Sequence, residues 1–162
     1  MSGSMATFVG GHACCIAYNK DKFKLLSKGK KEVAEDERAQ YYGKRGMMWV
    51  RLEYKEGGKT ILFANHHGPL RVNSGGQCGG KATAWNIVNT LKEEAKGDDA
   101  IVIVGDFNAD DKSVTQRELM RFMNRLGSNW VDTVMSNCKS GTWKTLPKGG
   151  SDHNAVKVEL SI

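Results

Sequence analysis

The sequence predicts an α+β layered sandwich, and three observations carry that prediction. Apolar runs of strand length outnumber helical periods, several of these runs are joined by hairpin-type turns, and the helical stretches sit between strands. At 162 residues the chain is long enough for one domain with a real core and too short for two comfortable ones. Met1 to Ser4, followed by a second Met5, reads as a tag remnant, which leaves residues 5–162 as a single domain. There is no internal repeat and no low-complexity segment.

Composition narrows the partners. A formal charge of +6 and a pI near 9.2 bias the chain toward phosphate-bearing partners. The lysines are scattered (Lys20, Lys22, Lys24, Lys28, Lys30, Lys31) and do not alternate with aromatics, so each taken alone reads as solvated surface. No apolar stretch approaches a membrane span, and no basic-then-apolar leader opens the sequence. A cytoplasmic or nuclear setting is expected, with reduced thiols. Cys14 and Cys15 are adjacent, Cys78 lies in a glycine-rich stretch and Cys138 stands alone; no pair has zinc spacing, while a disulfide between distant members stays open.

The elements follow in order. Ala13 to Tyr18 reads as a strand, Lys20-Asp21-Lys22 as its turn, and Phe23 to Ser27 as its hairpin partner. Lys28 to Gly46 is charged and weakly periodic and reads as a long surface loop. Met47 to Tyr54 and Thr60 to Asn65 bracket Lys55-Glu56-Gly57-Gly58-Lys59, the firmest hairpin signal in the chain. The second of these strands runs into His66-His67-Gly68-Pro69, two histidines expected to stand open to solvent at a strand end. Arg71 to Gly80, with four glycines between Gly75 and Gly80, lacks the lysine-serine/threonine ending and strand context of a phosphate-binding loop and reads as a flexible rim. Lys81 to Lys96 is predicted helical on a face of Ala84, Trp85, Val88, Leu91 and Ala95, stopped by Gly97. Ser113 and Gln116 form a capping-box pattern before a helix with Leu119, Phe122, Met123 and Leu126, stopped by Gly127. Trp130 to Val134 is a short strand or bend carrying Asp132, and a last strand closes the chain after Leu146 to Gly150.

The chemistry concentrates at two strand ends. Ile101-Val102-Ile103-Val104 has the character of a strand buried on both faces, and Gly105-Asp106-Phe107-Asn108 breaks it with a carboxylate and an amide. An Asx turn closing a strand accounts for that spacing equally well. Ser151-Asp152-His153, abutting the alternation of Ala155, Val156, Val158 and Leu160, supplies a second polar group at a second strand. Together they point to one site built from two strand tips.

In order, Asn65-His66-His67, Gly105-Asp106-Phe107-Asn108, Asp132-Thr133 and Ser151-Asp152-His153 resemble the motifs of the endonuclease/exonuclease/phosphatase superfamily, the proteins sharing the deoxyribonuclease I fold. The resemblance runs from about Gly10 to the end. It implies a four-layer α/β sandwich and cleavage of phosphate esters with a divalent metal, magnesium or manganese. On that resemblance Asp106 would activate the attacking water, and Asn108 would hold the phosphate or the metal shell. His67 would contact the phosphate, with His66 standing where the family often has threonine. Asp152 would reach the metal together with Asp106 and Asn108. His153 would stabilise the growing charge, with its tautomer fixed by Asp132. These roles suit displacement at phosphorus, which needs a base for water, cations around the oxygens and hard oxygen ligands for the metal.

Three features depart from the family pattern. The N-terminal strands, which bear an asparagine and the principal metal-binding glutamate, have no counterpart. His12 stands where relatives often carry an acidic partner for the histidine corresponding to His67. Gly149-Gly150 replaces a strand with an aspartate of its own. The expectation is therefore a shortened member with a weakened metal site and a bare sheet edge, which a second copy or a partner chain would cover. The leading function is a metal-dependent phosphoesterase, specifically a nuclease on DNA or RNA given the charge. The alternatives are a catalytically lapsed nucleic-acid or protein binding module using lysines with Trp130 or Trp143, and a phosphatase on small or lipid phosphates.

Overall fold

The computed structural model describes residues 5–9, 14–37 and 43–162. His12, with Gly10 and Gly11, and the leading residues 1–4 lie outside them. Ten strands and two helices occur in the described residues: β1 (Met5–Val9), β2 (Cys15–Asn19), β3 (Phe23–Glu35), β4 (Lys44–Tyr54), β5 (Thr60–His66), α1 (Gly79–Glu94), β6 (Ala100–Asp106), α2 (Val114–Leu119), β7 (Asn124–Asn129), β8 (Asp132–Ser136), β9 (Gly141–Leu146) and β10 (Ala155–Leu160).

Six strands make the central sheet, in the order β3-β4-β5-β6-β8-β7. Only β5 and β6 are parallel, and α1 is their crossover. Alternation sorts each strand between two faces. Met47 and Trp49 of β4, Leu62 and Ala64 of β5, Ile103 of β6 and Met135 of β8 pack with Ala84, Ile87, Leu91 and Leu119 of the helices. Met48, Val50 and Leu52 turn the other way, onto Cys14 and Ile16 at β2. On that second face the β1–β2 hairpin lies over β4 and β5, and the β9–β10 hairpin lies over β7 and β8. Beside the β9–β10 hairpin this face holds a cavity of about 570 Å³, lined by Ile61, Phe63, Val102 and Val104 of the central sheet and by Val156 and Val158 of β10. Both helices pack on the first face. The α+β sandwich itself is as expected, with the second layer broken into two hairpins.

Several elements differ from expectation for identifiable reasons. Cys15–Asn19 pairs with β1, and the turn after it crosses to another sheet, so Phe23 to Ser27 is not its hairpin partner. Within the expected loop at 28–46, residues 38–42 lie outside the described residues, and the rest is mostly strand: β3 continues to Glu35 and β4 starts at Lys44. Among the described residues no strand neighbours the outer margin of β3 and one face meets water, so Lys24, Lys28, Lys30 and Lys31 give it a polar composition while they blunt the edge. The Met47–Tyr54/Thr60–Asn65 hairpin stands as expected. Helix α1 buries Thr83, Ala84, Ile87, Thr90 and Leu91, and Trp85 is exposed. Ser113 caps α2 by accepting the Gln116 N–H at 3.0 Å, but the helix stops at Leu119. Leu126 is buried on β7, and Phe122 is exposed. The Gly75–Gly80 stretch is not a free rim: Gly75, Gly76 and Gly80 are buried, and a side chain at Gly76 would strike the Glu35 carbonyl at 2.2 Å. All four cysteines are free, with Cys14 buried and Cys15 exposed as alternation requires.

Candidate active site

The C-terminal ends of β5 and β6 and the start of β8 reach the same edge of the sheet. The open end of a parallel pair is where α/β sheets commonly bind ligands. Register places Asp106 directly opposite Asp132, which is why two carboxylates far apart in sequence share one spot. Two glycines let the strand tips close up. A Cβ at Gly105 (φ 142°) would lie 1.9 Å from the His66 carbonyl oxygen, and one at Gly68 would lie 1.8 Å from that of Phe107. The Gly68 N–H donates to the Asp106 carbonyl at 2.8 Å, and the Phe107 N–H donates to the Val131 carbonyl at 2.9 Å. One backbone lattice therefore joins all three loops.

His153 arrives from the segment before β10. Its Nδ1–H donates to Asp132 Oδ2 at 2.8 Å and lies 3.9 Å from Asp106 Oδ2. A carboxylate acceptor requires the proton on Nδ1, which fixes the tautomer and leaves Nε2 for a substrate. Burial pulls the His153 pKa down, but attraction from Asp132, the hydrogen bond to it, and the charges of Asp106 and Asp152 outweigh burial and hold it above the usual value. The Asp132 carboxyl is raised, chiefly by burial, with Asp106 and Asp152 adding to the rise and His153 opposing it.

Asp106 Oδ1 accepts the Asn108 N–H at 2.8 Å, and Oδ2 lies 3.9 Å from His67 Nε2. Asn108 is buried in the left-handed region (φ 46°), a conformation asparagine tolerates, and its amide Nδ2 donates to the Gly68 carbonyl at 2.9 Å. Its amine end thus braces the β5 loop. Asp152 is exposed, and Ser151 donates to it at 3.4 Å. Among the described residues the groups gathered within 4.8 Å of one another are Asp106, Asp132 and His153; Asp152, expected at the metal, is near enough to influence both members of the pair but is not in that cluster.

His66 is not open to solvent. Continuing the alternation of Leu62 and Ala64 puts it in the core, 1 % exposed, where Nδ1–H donates to the Gly46 carbonyl at 2.9 Å and the ring meets Phe107 edge-on. Burial lowers its pKa to about 4, so it is neutral near pH 7. Only His67 of the pair faces the site. Three residues support the site in ways the sequence did not indicate. Gln116 is fully buried and its Nε2 donates to the Ala109 carbonyl and to Thr133 Oγ1. Asn73 and Asp110 exchange two 2.8 Å hydrogen bonds that latch the two loops. Proximity of Asp110 to the Asp106 motif was the available signal for the latch; Gln116 was hidden behind its capping position.

Neither a protein-family model nor any curated protein sequence matches the chain. Its structure does match solved ones. An endonuclease/exonuclease/phosphatase of Bacteroides vulgatus aligns with TM-score 0.73 and 20% identity over 97% of this chain and 77% of its own. The mannosyl-6-phosphatase of Bacteroides thetaiotaomicron VPI-5482 gives 0.71 and 19%, over 91% and 70%. The human Nocturnin catalytic domain, with bound sulfate anion, gives 0.59 and 15%, over 91% and 56%. At such identities the likeness speaks for architecture, and every one of these chains is longer than the stretch matched. The fold is that of the endonuclease/exonuclease/phosphatase proteins, the deoxyribonuclease I-like α+β architecture, of which this chain matches 56–77% in the three structures compared.

Proposed function

We propose that the protein is a phosphoesterase that directs an activated water at a phosphate ester lying over the tips of β5, β6 and β8. The observation that carries this reading is the convergence of Asp106, Asp132 and His153 within 4.8 Å, with His153 oriented by Asp132. Asp106 has one oxygen committed to the Asn108 N–H; the other, 3.9 Å from His67 Nε2 and from His153 Nδ1, is the one that would take a proton from water. His153, held toward its protonated form, presents Nε2–H to the charge that grows on the phosphoryl oxygens, and His67 contacts the phosphate from the other side of Asp106. Asn108 fixes the separation of the two loops and offers its amide oxygen to the phosphate.

The donor set fits a hard divalent cation, because two carboxylates face each other in register and His153 Nδ1 is already spent on Asp132. Asp106 and Asp132 would hold magnesium or manganese, with Asp152 and the Asn108 oxygen beside them. When bound, the cation polarises the phosphoryl oxygens. The net charge of +6 supports a polyanionic substrate, and so a nuclease acting on DNA or RNA. A second reading, hydrolysis of small phosphomonoesters, draws support from the structural match to a mannosyl-6-phosphatase.

A titration of magnesium and manganese against DNA, RNA and small phosphomonoesters tests both readings. Turnover should need the divalent ion and fall roughly 100-fold or more in Asp106→Ala and His153→Ala. Mutants as active as the parent would end the proposal, and salt-sensitive binding without turnover at any metal concentration would replace it with a binding module.

A further inference from the structure

We infer that Trp130 is a stacking platform for an unpaired nucleobase attached to the phosphate at the site, which makes single-stranded nucleic acid and its nucleotides the substrate class; this rests on the phosphoesterase reading. Trp130 and Val131 form the two-residue connection between β7 and β8. Trp130 has φ 56°, in the region where such connections favour glycine, asparagine or aspartate and where a bulky side chain is an outlier. Backbone strain of this kind persists where surrounding structure over-determines it, and here it does. Val131 is fully buried with its carbonyl tied to Phe107, and Asn129 pairs with Asp132 across the turn.

The outcome is a large apolar ring on a rigid mount, 61% exposed, with its centroid 5.6 Å from that of His153. The ring contact it makes is with His153 itself, and most of its surface is left open. Trp143, also exposed, at least covers Gly127 with its ring. The imidazole meets the phosphate, so a ring stacked on Trp130 belongs to the group esterified to it. A base in a duplex already has both faces stacked and would have to leave the helix to reach the indole, whereas a single strand offers its faces freely. The flat face of a sugar shares part of this chemistry, and the test separates the two.

The test uses anisotropy of labelled oligonucleotides without added divalent ion. An oligothymidylate is compared with an abasic oligomer of equal length, which has the same phosphates and no bases. The parent protein should prefer the base-bearing strand by about five-fold or more. Trp130→Ala should lose that preference while keeping its affinity for the abasic strand, and Trp130→Phe should retain most of it. Thymidine monophosphate should compete better than mannose 6-phosphate. The inference is overturned if Trp130→Ala keeps the preference, if it weakens both strands equally, if the folded parent binds neither, or if the sugar phosphate competes as well as the nucleotide. Hydrolysis of esters measured in parallel separates failure of the platform from failure of the phosphoesterase reading, since base-independent turnover removes only the former.

Discussion

At the scale of residues, His66 and Trp130 make opposite demands on stability. His66 folds with its pKa lowered to about 4, against an ordinary value of 6.5. The unfolded chain therefore binds the extra proton first as pH falls. Stability should drop from about pH 6.5 down to about pH 4, by on the order of 3 kcal/mol in total. Urea unfolding across that window should show a steeper slope for the parent than for His66→Gln, whose amide does not titrate. Trp130→Asn relieves the left-handed strain and should raise stability by about 1 kcal/mol in the same assay. The convergence of Asp106, Asp132 and His153 could be anticipated because each abuts an apolar strand, and a strand end has few places to go. The His66–His67 pair was misread as a unit. The period of two that separates them was already present in Leu62 and Ala64.

At the scale of elements, the site depends on how closely strands approach. Gly68→Ala would force a Cβ to within 1.8 Å of a carbonyl oxygen, so the two loops must part. Urea unfolding should register a loss of about 2 kcal/mol or more. Hydrolysis should fall with it, because Asp106 and His67 separate. Ser113→Ala removes the cap of α2 and should cost about 1 kcal/mol by the same measurement. The β4–β5 hairpin and α1 were readable from turn chemistry and helical period. β3 was readable only over Phe23 to Ser27; its continuation to Glu35 was not, since an edge strand with one wet face carries the composition of a loop. The segment after α2 also misled. Leu119, Phe122, Met123 and Leu126 keep helical spacing, yet Asn124–Asn129 extends because β8 offers it a partner, a tertiary effect no local window contains.

At the scale of the whole molecule, one hairpin is held more loosely than the rest. Every residue of β9 is exposed, and β10 shelters only Val156, Val158 and Leu160 in part. Amides of β9 and β10 should therefore exchange with deuterium earlier than those of β4, β5 and β6. His153 precedes β10 and is moored to the sheet through Asp132, so Asp132→Ala should hasten that exchange further as well as reduce turnover. The sandwich class followed from strand count and spacing. The gap in its second layer did not, because the spatial separation of two hairpins leaves no mark on either one's pattern. The lysine-bearing rim of β3 has a physical consequence of its own. Mutual repulsion of the Lys24 and Lys30 ammonium groups works against two such rims zipping together, and at 1 M salt the range of that repulsion shrinks to about 3 Å. Concentrated brine should thus let copies adhere side by side, a growth in particle size that dynamic light scattering would register and dilution of the salt would reverse.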